Sequence, residues 1–227
     1  MKKTTKKTAE TVLVLRTCSA DMTSYGGFKW PKRGPVSTPA WLDNYECGNG
    51  LHGWLWGEGD GSLGQVDAPD AKWLVVRVLA SEVRHGSGHL IGKCKFPRGY
   101  VVHCGDRKSA TEYIVKHGAS GKAVIGVTAT AGHYGTATAG DYGTATAGND
   151  GTATAGNRGT ATVGYGGTAT AGDYGTATAG DRGMIRIKYY DAQNDRYRIA
   201  VAYVGEDGIM PNRKYKLNGS HEFVEVK

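Results

Sequence analysis

The clearest pattern of apolar and polar positions runs from Val127 to Arg182, where Thr and Ala alternate in short blocks set between small residues. One eight-residue unit, G-T-A-T-A-G-x-x, is written seven times without a gap, starting at Val127 (in place of the glycine), Gly135, Gly143, Gly151, Gly159, Gly167 and Gly175. Alternation with period two predicts a strand in each unit, and Thr favours that state. The Gly-Asp-Tyr-Gly and Gly-Asn-Asp-Gly segments supply residues that accept positive φ, so a sharp reversal follows each strand. A fixed short period of this kind predicts a stacked solenoid. Two units close one flattened coil, and seven make a regular stack about 15–20 Å tall at ~4.8 Å per rung.

The exceptions to the repeat decide which face is inside. Val163 replaces the second Ala of its unit, and past the last unit Ile185 and Ile187 take Ala positions while Met184 and Arg186 take Thr positions. Ile is usually buried and Arg almost never is when unpaired, so Ala faces in and Thr faces out. The candidate binding surface is therefore the Thr array, comprising Thr136, Thr138, Thr144, Thr146, Thr152, Thr154, Thr160, Thr162, Thr168, Thr170, Thr176 and Thr178. The turn residues Tyr134, Tyr142 and Tyr174 join it as an edge on which rings can stack.

The remaining pattern places other elements around this stack. Residues 11–123 read as an α+β head: apolar runs at Val12–Leu15 and Trp73–Leu79, a hairpin from Gly92 to Cys104, and a helix from Asp106 to His117. Ser109 and Glu112 form a capping box near that helix start, and Gly118 marks its stop. The solenoid takes residues 124–183. Residues 184–227 form a β-rich cap, whose hairpin carries Tyr197, Ile199, Val201 and Tyr203 on one face as a lid over the Ala core. Residues 1–10, with four lysines in the first seven positions, read as a flexible basic arm.

Charge and composition narrow the function classes. The net charge of +7 lies in residues 1–126; the array carries −2 and the remaining tail +2, which disfavours nucleic acid along the solenoid. No stretch reaches transmembrane length, and Thr11–Leu15 is too short for a signal segment, so the expected location is cytoplasmic or virion-associated, with no membrane contact. Cys18, Cys47, Cys94 and Cys104 lack paired spacing and read as reduced thiols. No phosphate loop, nucleophile elbow or paired metal-ligand motif is present, so no cofactor, no metal and no catalytic residue is expected.

Three resemblances follow from these residues. Ala139-Gly140-Asp141-Tyr142-Gly143-Thr144-Ala145-Thr146 resembles the A-G-Y-G-S-T-x-T octapeptide of the bacterial ice-nucleation proteins, which implies a β-solenoid and an ice-contacting surface. The segments C-G-N-G-L-H-G (47–53), W-L-V-V (73–76), K-F-P-R-G-x-V-V-H-C-G-D-R (95–107) and A-T-E-Y-I (110–114) are similar to an uncharacterised domain of bacteriophage and prophage proteins. Arg16 with the Gly50-Leu51-His52-Gly53 turn is loosely similar to the NAD grip of ADP-ribosyltransferases, without that family's catalytic acid. The order of expectation is a phage-derived, non-enzymatic structural or interaction protein that forms a homo-oligomer, then an ice-binding protein, then a head-domain enzyme.

Overall fold

A computed structural model describes residues 9–227, so most of the expected basic arm lies outside the described residues. The head is built on seven strands: β1 (Thr11–Cys18), β2 (Gly34–Ser37), β3 (Leu51–Leu55), β4 (Lys72–Leu79), β5 (Arg84–His85), β6 (Cys94–Phe96) and β7 (Arg98–Gly105). Their order is β2-β7-β4-β1-β3-β6-β5, with the two longest apolar runs, β1 and β4, paired antiparallel near the middle. The expected hairpin from Gly92 to Cys104 does not form: β6 pairs with β3 and β5, and β7 with β2 and β4. Pro97, which has no N–H to donate, sits alone between them and turns the chain out of the ladder. A one-residue link between strands with three others between them requires the sheet to roll round on itself. Its inner face holds Val14, Trp30, Leu74, Val76, Phe96 and Val101.

The outer face of β1 and β4 is covered by α1 (Arg107–Ile114), through Ala110 and Ile114. Its cap is Asp106, whose carboxylate accepts from Ser109 N at 2.8 Å, and not the Ser109–Glu112 pair expected from the sequence. The chain already turns helical at Arg107, so Ser109 lies within the first turn and its amide is one of the orphan donors. From Val115 to Ala119 the helix widens into a π-turn, with Gly118 at φ 134°.

The seven repeat strands are β8 (Thr128–Thr130), β9 (Thr136–Thr138), β10 (Thr144–Ala147), β11 (Thr152–Thr154), β12 (Thr160–Val163), β13 (Thr168–Ala171) and β14 (Thr176–Thr178). Each pairs in parallel with the strand two units away, Thr144 opposite Thr128 and Thr160, Thr152 opposite Thr136 and Thr168. Sixteen residues therefore make one coil. Odd and even units build two sheets, and Ala137, Ala145, Ala153, Ala161, Ala169 and Ala177 fill the space between them at 3% exposure or less. This is the thin, Ala-cored, Thr-faced solenoid that the repeat predicts.

The residue with positive φ in every unit is the freely varying last one, and none of the repeat's fixed glycines: Tyr134, Tyr142, Asp150, Arg158, Gly166, Tyr174 and Arg182, all between 52° and 66°. The glycines are needed for space. A Cβ on Gly140 would lie 2.3 Å from the Ala123 carbonyl oxygen, and one on Gly156 2.4 Å from an Asp141 carboxylate oxygen. Close stacking of turn on turn, not backbone freedom, fixes the small residues.

A methyl-sized group buried contributes only about 0.8 kcal/mol, against about 1–2 kcal/mol of backbone entropy per ordered residue. The stack therefore depends on its ladders and its ends. Along one edge Asp173 N donates to Asn157 Oδ1 at 3.1 Å, and Asn157 N to Asp141 Oδ1 at 2.8 Å. At the far end β15 (Met184–Asp191) continues one sheet with Ile185 and Ile187 buried in the Ala rows. β17 (Lys214–Leu217) closes the other sheet with Tyr215 opposite Ala177, and pairs in turn with β18 (Phe223–Glu225). The expected lid is inverted. In β16 (Arg196–Tyr203), Ala200 and Ala202 stand opposite Ile187 and Ile185 on the inner side, so Tyr197, Ile199, Val201 and Tyr203 face solvent. The stack is too thin to accept aromatic rings at that register.

At the near end Asp141 ties the solenoid to the head. It is almost wholly buried, and its second carboxylate oxygen accepts from Gly61 N at 3.0 Å. Asp141→Ala strands two amide donors and is expected to cost about 2–4 kcal/mol. Asp141→Asn, which keeps one acceptor oxygen, is expected to cost less. Denaturant titration of the three proteins checks this.

Candidate functional site: the threonine faces

The sheet of β8, β10, β12 and β14 presents four ranks of paired threonines: Thr128 and Thr130, Thr144 and Thr146, Thr160 and Thr162, Thr176 and Thr178. The opposite sheet presents three, Thr136 and Thr138, Thr152 and Thr154, Thr168 and Thr170, before Met184 and Arg186 take the same positions. All of these are half-buried or exposed, because ladder neighbours cover their flanks while the outward side stays open. Rows repeat every ~4.8 Å across the strands and every ~6.7 Å along them.

The hydroxyls are nearly all free. Thr160 and Thr176 share one hydrogen bond at 3.1 Å, and among the described residues no other array hydroxyl bonds to a protein side chain or carbonyl. No charged side chain stands within the four ranks; Lys214, opposite Thr178 on β17, is the first beyond them. The surface is a regular lattice of methyls and mostly unpaired hydroxyls. Such a surface offers water regular hydrogen-bonding points without the strongly hydrated shell of a charge.

The structure divides the three candidate tyrosines. Tyr142 and Tyr174 share one edge with Arg158 between them, its guanidinium carbon 6.0 Å and 5.4 Å from their ring centres. Tyr134 stands on the opposite edge. Tyr142 is half-buried against the Gly61 turn, whereas Tyr134 and Tyr174 are exposed. Sequence reasoning missed the Arg158 bridge, although a period of sixteen puts residues 142, 158 and 174 in one column.

The head's candidate residues do come together. Arg16 and His52 line one cavity of about 310 Å³ with Ser24, Ser62, Gln65 and Lys93. No carboxylate lines it, and Glu112 lies exposed on α1 beside Lys108. Burial lowers the His52 pKa to about 4, with the charges of Lys93, Arg16 and Lys95 adding to the effect. A histidine whose folded pKa lies below its unfolded value of 6.5 resists protonation in the fold. Stability is therefore full above about 6.5 and is lost as pH falls toward 4. The expected loss is about 2 kcal/mol once the ring's partial exposure is allowed for, and His52→Asn should flatten it. Thermal melts across that range check the slope.

Among the described residues no cluster of His, Cys, Asp or Glu could hold a metal. All four cysteines are free; Cys18 and Cys94 are fully buried, and Cys47 is exposed. No described helix is long and apolar enough to cross a membrane, which says nothing of a β-barrel.

Comparison with known proteins bears on the repeat. Over 107 residues, 47% of the chain, it is 41% identical to an ice nucleation protein of Pseudomonas syringae, covering 9% of that protein. Over 108 residues, 48% of the chain, it is 41% identical to ice nucleation protein InaU of Pantoea ananas, covering 10% of it. An ice nucleation protein of Xanthomonas campestris pv. translucens is 39% identical over 105 residues, 46% of this chain and 6% of its own. The chain thus spans a tenth or less of the length of these relatives. Each match is longer than the array of residues 127–182, so it takes in flanking chain. No family model matches, and no solved structure does. These relatives overturn the first-ranked expectation of a phage-derived structural or interaction protein, and nothing in the comparisons supports the phage resemblance of the head. They favour the ice-binding alternative over it.

Proposed function

We propose that this chain is a non-enzymatic ice-binding protein, and that the four-rank threonine face of β8, β10, β12 and β14 is its principal contact. One observation carries the reading: a charge-free lattice of hydroxyls in parallel register, unpaired but for Thr160 and Thr176, in a chain nearly half of which is about 41% identical to proteins named for ice nucleation. Water held at every rung and every second residue is pre-ordered in two dimensions. A growing ice surface can then adopt that layer without displacing it. The residues of the proposal are Thr128, Thr130, Thr144, Thr146, Thr160, Thr162, Thr176 and Thr178, with the opposite face as a smaller second contact.

The size of the lattice sets what it does. Adsorption to existing ice needs a small flat template, whereas nucleation needs one large enough to hold a nucleus past its critical size. Four ranks span only about 14 Å. The pure protein is therefore expected to shape ice crystals and slow their growth, and to raise the freezing temperature of supercooled droplets little. Crystal morphology in a nanolitre osmometer and droplet-freezing counts test the two halves separately. Absence of shaping at high concentration removes the proposal.

Self-association belongs to the same reading, since two stacks side by side double the lattice, and the exposed Tyr134 and Tyr174 edges are the surfaces that we assign to it. Light scattering is expected to give a multiple of the chain mass that falls in Tyr174→Ala. A single chain's mass for the parent protein at micromolar concentration sinks this part alone.

A further inference from the structure

Arg16 and His52, which line one cavity, each carry a buried polar atom without a partner. Arg16 Nε and His52 Nε2 are buried and hydrogen-bond to no group. They are the unsatisfied buried side-chain atoms among the described residues, and they belong to neighbours that line one space. Buried polar groups are ordinarily paired, and a buried guanidinium without a counter-charge is more costly still. Only one of the Arg16 donors, Nη1, has a protein partner, the His52 carbonyl.

The surroundings hold the guanidinium in place without neutralising it. Its carbon lies 4.4 Å from the centre of the Trp30 ring, which fixes its plane by stacking. No carboxylate pairs with it among the described residues, and residues 1–8 contain none. The groups that could supply it a negative charge are the thiols of Cys18 and Cys94, which burial pushes up to about 11 and about 12, so both are neutral at ordinary pH. Arg16 itself falls only to about 10 and keeps its charge. The cavity therefore carries an uncompensated positive charge, and Lys93 at its wall adds a second.

Its shape suits a small ligand. Gly53 lies beside Arg16 on the neighbouring strand, where a Cβ would come within 2.6 Å of the Leu15 carbonyl oxygen, so β1 and β3 approach closely. The far wall is the turn that carries Ser62 and Gln65. That turn is fastened twice, by Gly61 N to Asp141 and by Gln65 N to the Thr17 hydroxyl at 2.8 Å. The wall is thus set by the solenoid as well as the head. At about 310 Å³ the cavity is at the lower end of small-molecule sites, and the fully exposed Tyr25 ring stands at its rim.

We infer that this cavity is a binding site for a small molecule bearing an oxyanion group, phosphate or carboxylate. The oxyanion accepts from the guanidinium of Arg16 and pairs with Lys93, and the rest of the ligand lies against Tyr25. Binding is non-covalent, because no carboxylate or reactive thiol lines the space to do chemistry on it. This assignment is independent of the ice-binding reading: no residue of the threonine ranks lines the cavity.

The test uses the full chain and calorimetric titration with inorganic phosphate, acetate, adenosine monophosphate and adenosine. Saturable binding is expected for at least one anion and none for adenosine. Phosphate against acetate identifies the oxyanion, and adenosine monophosphate against phosphate reports the ring's contribution at Tyr25. Arg16→Met and Lys93→Met should each weaken binding about tenfold, the value of one charge-assisted hydrogen bond. Lys93 lies at the rim and its loss should leave the fold intact, so the prediction survives even if Arg16→Met does not fold. Absence of saturable binding for every anion at millimolar concentration overturns the assignment. So does binding that Lys93→Met and a folded Arg16→Met leave unchanged, since the anion then sits elsewhere.

Discussion

Ala145→Asp is expected to abolish cooperative folding of the solenoid at neutral pH. Ala145 is fully buried in the middle of its row, between Ala129 and Ala161 on the adjacent rungs. The backbone donors around it are engaged in the ladders, and the sheets stand only as far apart as methyl groups allow. A carboxylate there has no partner and no water. Its burial costs several kcal/mol, against a total stability of about 5–15 kcal/mol for a folded domain. The bulk adds to the charge, because a side chain longer than Ala forces the two sheets apart. Thr144→Asp places the same group one residue away on the outward side and should cost within about 0.5 kcal/mol. Far-ultraviolet circular dichroism and urea melts compare the two. A well-folded Ala145→Asp protein beside an unfolded Thr144→Asp protein would reverse inside and outside.

The second large effect concerns the proposed ice contact. Thr146→Lys combined with Thr162→Lys puts two ammonium groups into the centre of the four-rank face. Each keeps its own tightly held water and stands well above the plane of the methyls, so the regular lattice is broken at its two inner rungs. Ice shaping is expected to vanish. Thr138→Lys combined with Thr154→Lys on the opposite sheet should leave most of it, since that face has three ranks and runs into Met184 and Arg186. Both pairs are surface changes, and their melting temperatures should stay within a few degrees of the parent. Equal loss in both pairs would spread the contact over both faces. No loss in either would end the assignment to threonine.

The repeat was legible because it states one local rule seven times. Thr-Ala alternation gives the strand, and Val163, Ile185 and Ile187 give the inside, so the two-unit coil and the Thr faces follow from periodicity and the cost of burying Arg186. The head was less legible. β1 and β4 announced themselves as apolar runs, but nothing local in β6 and β7 says that Pro97 separates partners instead of joining them. The cap shows the same limit: Tyr197, Ile199, Val201 and Tyr203 were correctly placed on one face of β16. Which face turned inward depended on its register against Ile185 and Ile187.

What the sequence determined by itself is the solenoid: its period, its Ala interior and its threonine surface. These need only nearest-neighbour interactions along the stack, and each unit carries the information for its own rung. Tertiary structure alone decided the rest. It put the positive φ on Tyr142 and Arg158, because the flanking glycines were already committed to close stacking. It buried Asp141 between the head and the array, where one carboxylate satisfies amides 80 positions apart at Gly61 and 16 apart at Asn157. And it brought Arg16 and His52 into one cavity without a carboxylate, from strands whose pairing no local pattern encodes.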